Sequence, residues 1–494
     1  MQIECLYILL ILVVVSNLGY LRNNKINNNK KYFFFIIINI YKMSDSYTPQ
    51  NVGYAVSRLD GYSRNRFKLI PTSADSLQPG SQLNIPLPEG SICDLRSLRI
   101  WFRVNCVGAD PAVAGNYVGA RCPCDAQSFF QRLVLNLNGV QINGSSNDWN
   151  AYCRMAKICK TSFDKDNSID RTVQHGSISA PPPGSAGVAN DEVATMACAE
   201  FPGTFLADSS TRFVHTGMLG SLVITATLAD NSVLVPYSEA NASFTNFTGQ
   251  ETAVAGNIRY SMDQIYATID CISLSSLYDE MLMARLAQED ILINYKEIYT
   301  YTLENIVQNS ATTRFSLATR CLDKVYSGLR PVNHAQVGIP ASELTDTPGD
   351  AYTGNKFVFG VFDPNVATPA ARSQYTINNT PYPQYLMKTL VEGAADSAFA
   401  VENEDVGLKA RGNLVGSLAD YNNVRGVVPL RLDHPTGIHP ETRVSSGLST
   451  LGVNMAATYL TQGFAPGAGK ASLVACETQP QLVVSVGKMC SVNF

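Results

Sequence analysis

A chain of 494 residues, 45% hydrophobic but only 16% charged, is long enough for two ordinary domains or one large all-β assembly. So few Glu, Lys and Arg argue against helical bundles, whose outer faces need them, and the many Tyr, Phe, Asn, Ser, Thr and Gly suit strands and polar loops. The net charge is −4; five Lys and Arg before Met43 outweigh Glu4 by +4, so residues 43–494 carry −8 and lack the basic footprint that grips phosphate backbones.

Residues 1–42 differ in composition from the rest of the chain. Ile, Asn, Lys, Phe and Tyr fill 26 of these 42 positions, and Ala, Pro, Asp and Thr are absent. These are residues of codons made mainly of A and T, so the segment reads as upstream DNA translated in frame. It is expected to be a non-native or disordered extension, with Met43 as the true start and 43–66 as an N-terminal arm. A signal peptide or anchor competes with this reading. The apolar run Leu6–Val15 is shorter than the roughly 20 residues of a spanning helix, and no Lys or Arg precedes it.

The body reads as strands and long loops. "RIWFRVNCV", 99–107, alternates, with Ile100, Phe102, Val104 and Cys106 on one face. "LVLNLNGVQIN", 133–143, is a hairpin turning at Asn138-Gly139, a pair that accepts the positive φ of a type I′ turn. "NDWNAYCRMAKICK", 147–160, has the spacing of a short amphipathic helix, with Asp148 as N-cap and Trp149, Cys153, Ala156 and Lys160 on one side. Residues 161–216 form a polar excursion with Pro181-Pro182-Pro183-Gly184. Strand text resumes at 221–229 and 259–274. "SSLYDEMLMARLAQED" then opens with a capping box at Ser276 and Asp279, giving a linker helix over 276–290.

Strands come next at 291–303 and 312–331, then a Gly- and Pro-containing loop over 333–356. "KFVFGVF", "YTINNTPYPQYLM", "NVRGVVPLRL" and "SLVACETQPQLVVSVGKMCSVNF" supply further β-type text to the end. Each half, 67–275 and 291–494, has the size of one β domain.

No catalytic constellation emerges. The histidines, at 175, 215, 334, 434 and 439, adjoin no nucleophile motif. "GFAPGAGKAS", 463–472, imitates a P-loop, but Gly463 is one residue too far from Gly469 and Ala471 replaces Ser or Thr. "LDHPTGIH" could set Asp433, His434 and His439 around a metal, although its Pro and Gly favour a turn. Cys122-Pro-Cys124 and Cys153 with Cys159 lack the CxxC spacing of a zinc site, and the twelve cysteines read as reduced thiols. Asp279, Glu280, Glu289 and Asp290 read as a solvated helix face. The sequons at Asn143, Asn241, Asn246 and Asn378 matter only in a secreted chain. No catalytic, cofactor-binding or metal site is therefore assigned, and no enzyme activity is expected.

The order of elements resembles a known family. "FFQRLVLNLNGVQINGSSNDWNAYCRM", 129–155, with its strand, Asn-Gly turn and helix, is similar to the first barrel of double jelly-roll major capsid proteins from polinton-like viruses, virophages and related eukaryotic double-stranded DNA viruses. The text over 260–331 resembles the passage between the barrels, "YTINNTPYPQ" an inner-strand motif, and "ETQPQLVVSVGKMCSVNF" the closing strands. The resemblance implies an all-β chain of two consecutive jelly rolls, 67–275 and 291–494, joined by the helix 276–290 and carrying long loop insertions.

It further implies a homotrimeric, pseudo-hexagonal capsomer in an icosahedral virion shell. The expected partners are copies of itself, neighbouring capsomers, and penton and minor capsid proteins, without specific nucleic-acid binding or a membrane span in the mature body. Two other functions compete. A secreted or cell-surface β-sandwich lectin or adhesin would need a working signal, disulfides and glycans. A carbohydrate-active enzyme would need a carboxylate pair in a cleft.

Overall fold

The alternating runs become strands because a period of two puts every second side chain into a common interior. In the first half these strands are β1 (Ser63–Leu69), β2 (Gln82–Pro86), β3 (Ile92–Val107), β4 (Phe130–Leu137), β5 (Val140–Asn143), β6 (Phe213–His215), β7 (Leu222–Leu228) and β8 (Arg259–Ser273). In the second they are β9 (Glu297–Ile306), β10 (Ser310–Ser316), β11 (Leu322–Pro331), β12 (Arg372–Ile377), β13 (Thr380–Lys388), β14 (Val428–Arg431), β15 (Asn454–Leu460) and β16 (Lys470–Thr478). The computed structural model describes residues 63–73, 75–107, 118–121, 125–144, 146–160, 179–180, 191–238, 258–273, 280, 284, 290–306, 310–332, 334–335, 355–363, 367–399, 418–423, 425–432, 447–460, 469–485 and 489–494.

The topology of the two halves is the same. The first half pairs β1-β8-β3-β6 in one sheet and β2-β7-β4-β5 in the other; the second pairs β9-β16-β11-β14 and β10-β15-β12-β13, all antiparallel. Counted one to eight within each half, both read 1-8-3-6 against 2-7-4-5. That order is two jelly rolls in one chain, the double-sheet arrangement that leaves few strand edges open. Among the described residues, every strand pairing stays within 63–273 or within 291–493.

Each roll is filled from both of its sheets. In the first, Ile100, Phe102 and Val104 of β3 face Leu133 and Leu135 of β4 and Ile224 of β7. Phe102 meets Phe129 and Phe130 edge-on, with ring centroids 5.8 and 5.6 Å apart. In the second, Val325, Leu329, Val474 and Cys476 oppose Ala311, Phe315, Tyr375, Met455 and Tyr459.

The Asn138-Gly139 turn lies between β4 and β5, with φ of 49° and 82°. The second roll has its counterpart between β12 and β13, where Asn378 and Asn379 take φ of 49° and 62°. Asn is among the few non-Gly residues that tolerate this region, because its short side chain bonds locally.

Several expectations need correction. The excursion 161–216 contains strands: Ser179–Ala180 pairs with Val118–Arg121, β6 itself lies at its end, and Asp191–Cys198 runs along β3 and extends its sheet. Within Asp191–Cys198, "DEVATMAC" mixes acidic, small and apolar residues without a clean alternation, so its period of two is weak. "KFVFGVF" forms no strand; Asn355–Phe357 is a 3-10 turn, and Phe359 and Gly360 make only isolated bridges. A continuous apolar run does not specify a ladder. The sheet takes in Ser63–Arg66 of the segment read as an arm. The extension 1–42 and the loop 336–354 lie outside the described residues, as does the linker helix 276–290 apart from Glu280, Ala284 and Asp290.

Candidate functional site at the seam of the two rolls

The sheet β9-β16-β11-β14 has two apolar faces. Val325, Leu329, Val474 and Cys476 point into the second roll, whereas Ile298, Tyr326, Leu473 and Ala475 join the core cluster of the first. Every residue of β11 and of β16 is therefore buried. A strand covered on one side alone would alternate buried with exposed.

The covering comes from the first roll: helix α1 (Trp149–Lys160) lies against β9 and β11, the end of the β4–β5 hairpin meets the chain entering β9, and the segment 203–205 packs on Tyr295 and Ile298. Read as amphipathic, α1 is instead buried nearly all round, from Trp149 through Cys159 with only Lys157 half-buried. It lies between the rolls, so both of its sides meet protein, and its polar residues take partners there. Asn150 donates to the Ser128 carbonyl, and Trp149 Nε1 to the Pro202 carbonyl.

Hydrogen bonds cross the seam from backbone and side chain alike. Tyr295 donates its hydroxyl to the Ile142 carbonyl at 2.7 Å, and Asn143 Nδ2 donates to the Lys296 carbonyl at 3.0 Å. The Ser210 amide donates to the Asn294 carbonyl at 2.7 Å. Tyr152 packs against Tyr326, and Phe205 against Tyr295, with centroids 6.1 and 5.5 Å apart. At Gly203 a Cβ would stand 2.5 Å from Ile298 Cδ1, so the backbone approach there requires glycine.

Two charge clusters sit in this seam. In one, Lys296 Nζ is 3.1 Å from Glu477 and 3.9 Å from Asp323, both carboxylates fully buried. Tyr152 donates its hydroxyl to Glu477, and burial followed by that carboxylate pushes the phenol well above its usual range. In the other, Arg330 lies 3.7 Å from Asp148 and 3.6 Å from Glu304, and Lys356 lies 3.6 Å from Asp148. Burial lowers the Arg330 pKa while the two carboxylates oppose it. His334, 3.5 Å from Glu304, is lowered by burial and then by the Arg330 charge. Removing one member of either cluster would leave a buried charge without its partner, which is strongly destabilising. Asp148, expected as an N-cap, serves here as an anion for the other roll.

None of these residues stands out as functional in the sequence. The available signal is charge inside buried strand text, as in "LDKVYSGLRP", where Lys324 and Arg330 occur on the face that also presents Tyr326.

The motifs that do stand out are scattered. Asp433, His434 and His439 lie outside the described residues, as do Cys122, Cys124, Asn241, Asn246, His175, Asp279 and Glu289. Among the described residues no three His, Cys, Asp or Glu gather as a metal site would need. Lys470 opens strand β16 rather than a helix and places its ammonium 4.2 Å from the Phe362 ring centroid, so the P-loop reading fails there. Asn143 is buried with both amide atoms engaged and offers nothing to a glycan. Asn378 is exposed in its turn, and Glu280 and Asp290 are exposed. Cys153 and Cys159 are buried in α1 and form no disulfide. Among the described residues no helix is long and apolar enough to cross a membrane.

No family model matches the sequence, and no curated protein does. Solved structures do match in fold. A chain of the quasi-atomic model of the PBCV-1 virus capsid superposes with a TM-score of 0.54 at 12% identity, over 88% of this chain and 98% of that one. PBCV-1 VP54, fitted into a cryo-EM reconstruction of the virophage Sputnik, gives 0.53 at 13%, over 88% and 98%. The Faustovirus major capsid protein gives 0.50 at 10%, over 87% and 92%. Identities this low speak to architecture, and on that ground the chain has the double jelly-roll fold of these viral capsid proteins.

Proposed function

We propose that the chain is a major capsid protein, a structural subunit that forms pseudo-hexagonal homotrimers in an icosahedral virion shell. One observation carries this reading: the 1-8-3-6 and 2-7-4-5 topology occurs twice, fused through a fully buried seam. Two like rolls held rigidly side by side make a tile with two similar edges. Three such tiles related by rotation give six rolls around one axis, and head-to-tail contacts that close by rotation need no further symmetry within the chain. Shell partners such as penton and minor capsid proteins belong to the same proposal.

The lectin or adhesin reading gains no support from Asn143, which is buried, or from the nine described cysteines, none of which is in a disulfide. The test is the mass of the purified full chain by light scattering together with a thiol count in denaturant. A mass three times that of the chain, with all twelve cysteines titrating as thiols, is expected. A monomer with paired cysteines would favour the secreted reading.

A further inference from the structure

The two equivalent sheets are treated differently, and the difference points to an interface. In the second roll the outer face of β9-β16-β11-β14 is covered by the first roll's hairpin and α1. In the first roll the outer face of β1-β8-β3-β6 has no such cover among the described residues. Its strands β3 and β8 alternate, with Ile100, Phe102, Val104, Ala267 and Ile269 buried inside and Arg99, Trp101, Arg103, Tyr266 and Thr268 half-buried outside.

This outer face is built and ordered. Arg103 is paired bidentately with Asp263, and Arg64 and Arg66 both reach Asp270. Trp101 stacks on Tyr266 at 6.2 Å and donates Nε1 to Thr268. The Lys68 ammonium lies 4.2 Å from the Tyr266 ring centroid. Arg64, Arg66, Lys68, Arg99, Arg103 and Arg212 outnumber Asp94, Asp263 and Asp270, so the face is cationic on a body that is net negative.

The complementary surface lies on the second roll. Besides the segment 203–205, what covers the seam is the end of the hairpin of the fourth and fifth strands and the helical segment after it. The second roll's counterparts are β12–β13 and the segment Thr389–Phe399. There Tyr385, Leu386 and Val391 are exposed by 57, 48 and 48%, in a segment whose charged residues are Lys388, Glu392 and Asp396, one cation against two carboxylates. Exposed apolar side chains in a segment with a net excess of acid fit a face of aromatics flanked by arginine.

We infer that β13 and the segment 389–399 of one copy seat on the outer face of β1-β8-β3-β6 of the next, repeating between chains the contact that α1 and the β4–β5 hairpin make within one. This rests on the capsid reading, and names which surfaces meet. The contact is heterologous, so it extends head to tail until the ring closes.

The test places a photo-crosslinking phenylalanine analogue at Leu386 of the full chain and maps the products by mass spectrometry. Intermolecular links to 64–68, 99–105 or 263–270 are expected. A trimer whose links fall elsewhere, or fall within residues 1–62 of the same chain, overturns the inference and leaves the capsid reading standing. A protein that stays monomeric and gives no intermolecular links overturns both. Val391→Asp with Leu386→Asp, both exposed, should reduce trimer at fixed concentration by at least tenfold with an unchanged circular dichroism spectrum. Undiminished trimer in that variant would likewise overturn the inference.

Discussion

Lys296 is the place where the seam can be tested most sharply. Its ammonium is 3.1 Å from Glu477 and 3.9 Å from Asp323, with its own side chain 10% exposed and both carboxylates 0%. At an effective dielectric near 20, attractions at those distances come to about 5 and about 4 kcal/mol. The cost of desolvating the lysine offsets much of this. Lys296→Met leaves two buried carboxylates without that cation, and removing one partner of a buried pair costs about 3–5 kcal/mol. Adding Glu477→Gln relieves part of the strain, so the double variant should be more stable than the sum of the single effects by about 1–3 kcal/mol.

The assay is urea unfolding followed by Trp149 fluorescence in a Trp101→Phe background, since Trp149 sits in α1 at the seam and the chain has only two tryptophans. A Lys296→Met variant within about 0.5 kcal/mol of its parent would refute the reasoning, because that is the range of a surface substitution.

Single positions give further expected outcomes. Gly203→Ala puts a Cβ 2.5 Å from Ile298 at a φ of +69°, so strain and overpacking together should cost about 2–4 kcal/mol in the same unfolding assay. Gly139→Ala meets nothing within 4 Å and should cost only the left-handed backbone penalty of about 1–2 kcal/mol. For Asp263 and Asp270, hydrogen bonds from Arg103 and from Arg66 lower the folded pKa below 3.8. Their contribution is thus complete above that pH and lost as pH falls through the lowered values. Asp270→Asn should flatten the acid limb of a stability-versus-pH curve below about pH 4 and leave its slope above pH 6 unchanged.

Local chemistry makes much of this fold legible. The clean alternation of Ile100 to Cys106 and the Asn138-Gly139 pair specify strands and a turn from a few residues each. The Asn378-Asn379 turn has equally plain chemistry, two consecutive residues tolerant of positive φ between strand-like runs, although its sequence points to the fold mainly as part of a family-like motif. The seam is not legible. That α1 is buried all round follows from the second roll lying against it, and no periodicity within 147–160 reports a neighbour 150 or more residues away. Asp148 illustrates the limit: its position fits a cap, while its partners Arg330 and Lys356 come from distant strand and turn. The same holds for Lys296 and Glu477, which look like ordinary strand-end charges until the sheets stack.

On the proposed function, two like rolls make one tile, and three tiles make a ring of six rolls. Electron microscopy of purified particles or of the isolated oligomer tests this most directly. Class averages should show a three-fold particle with a near-hexagonal outline and six barrel densities, alternating between first and second rolls. A monodisperse monomer, or an oligomer in which the two rolls of one chain separate, would contradict it.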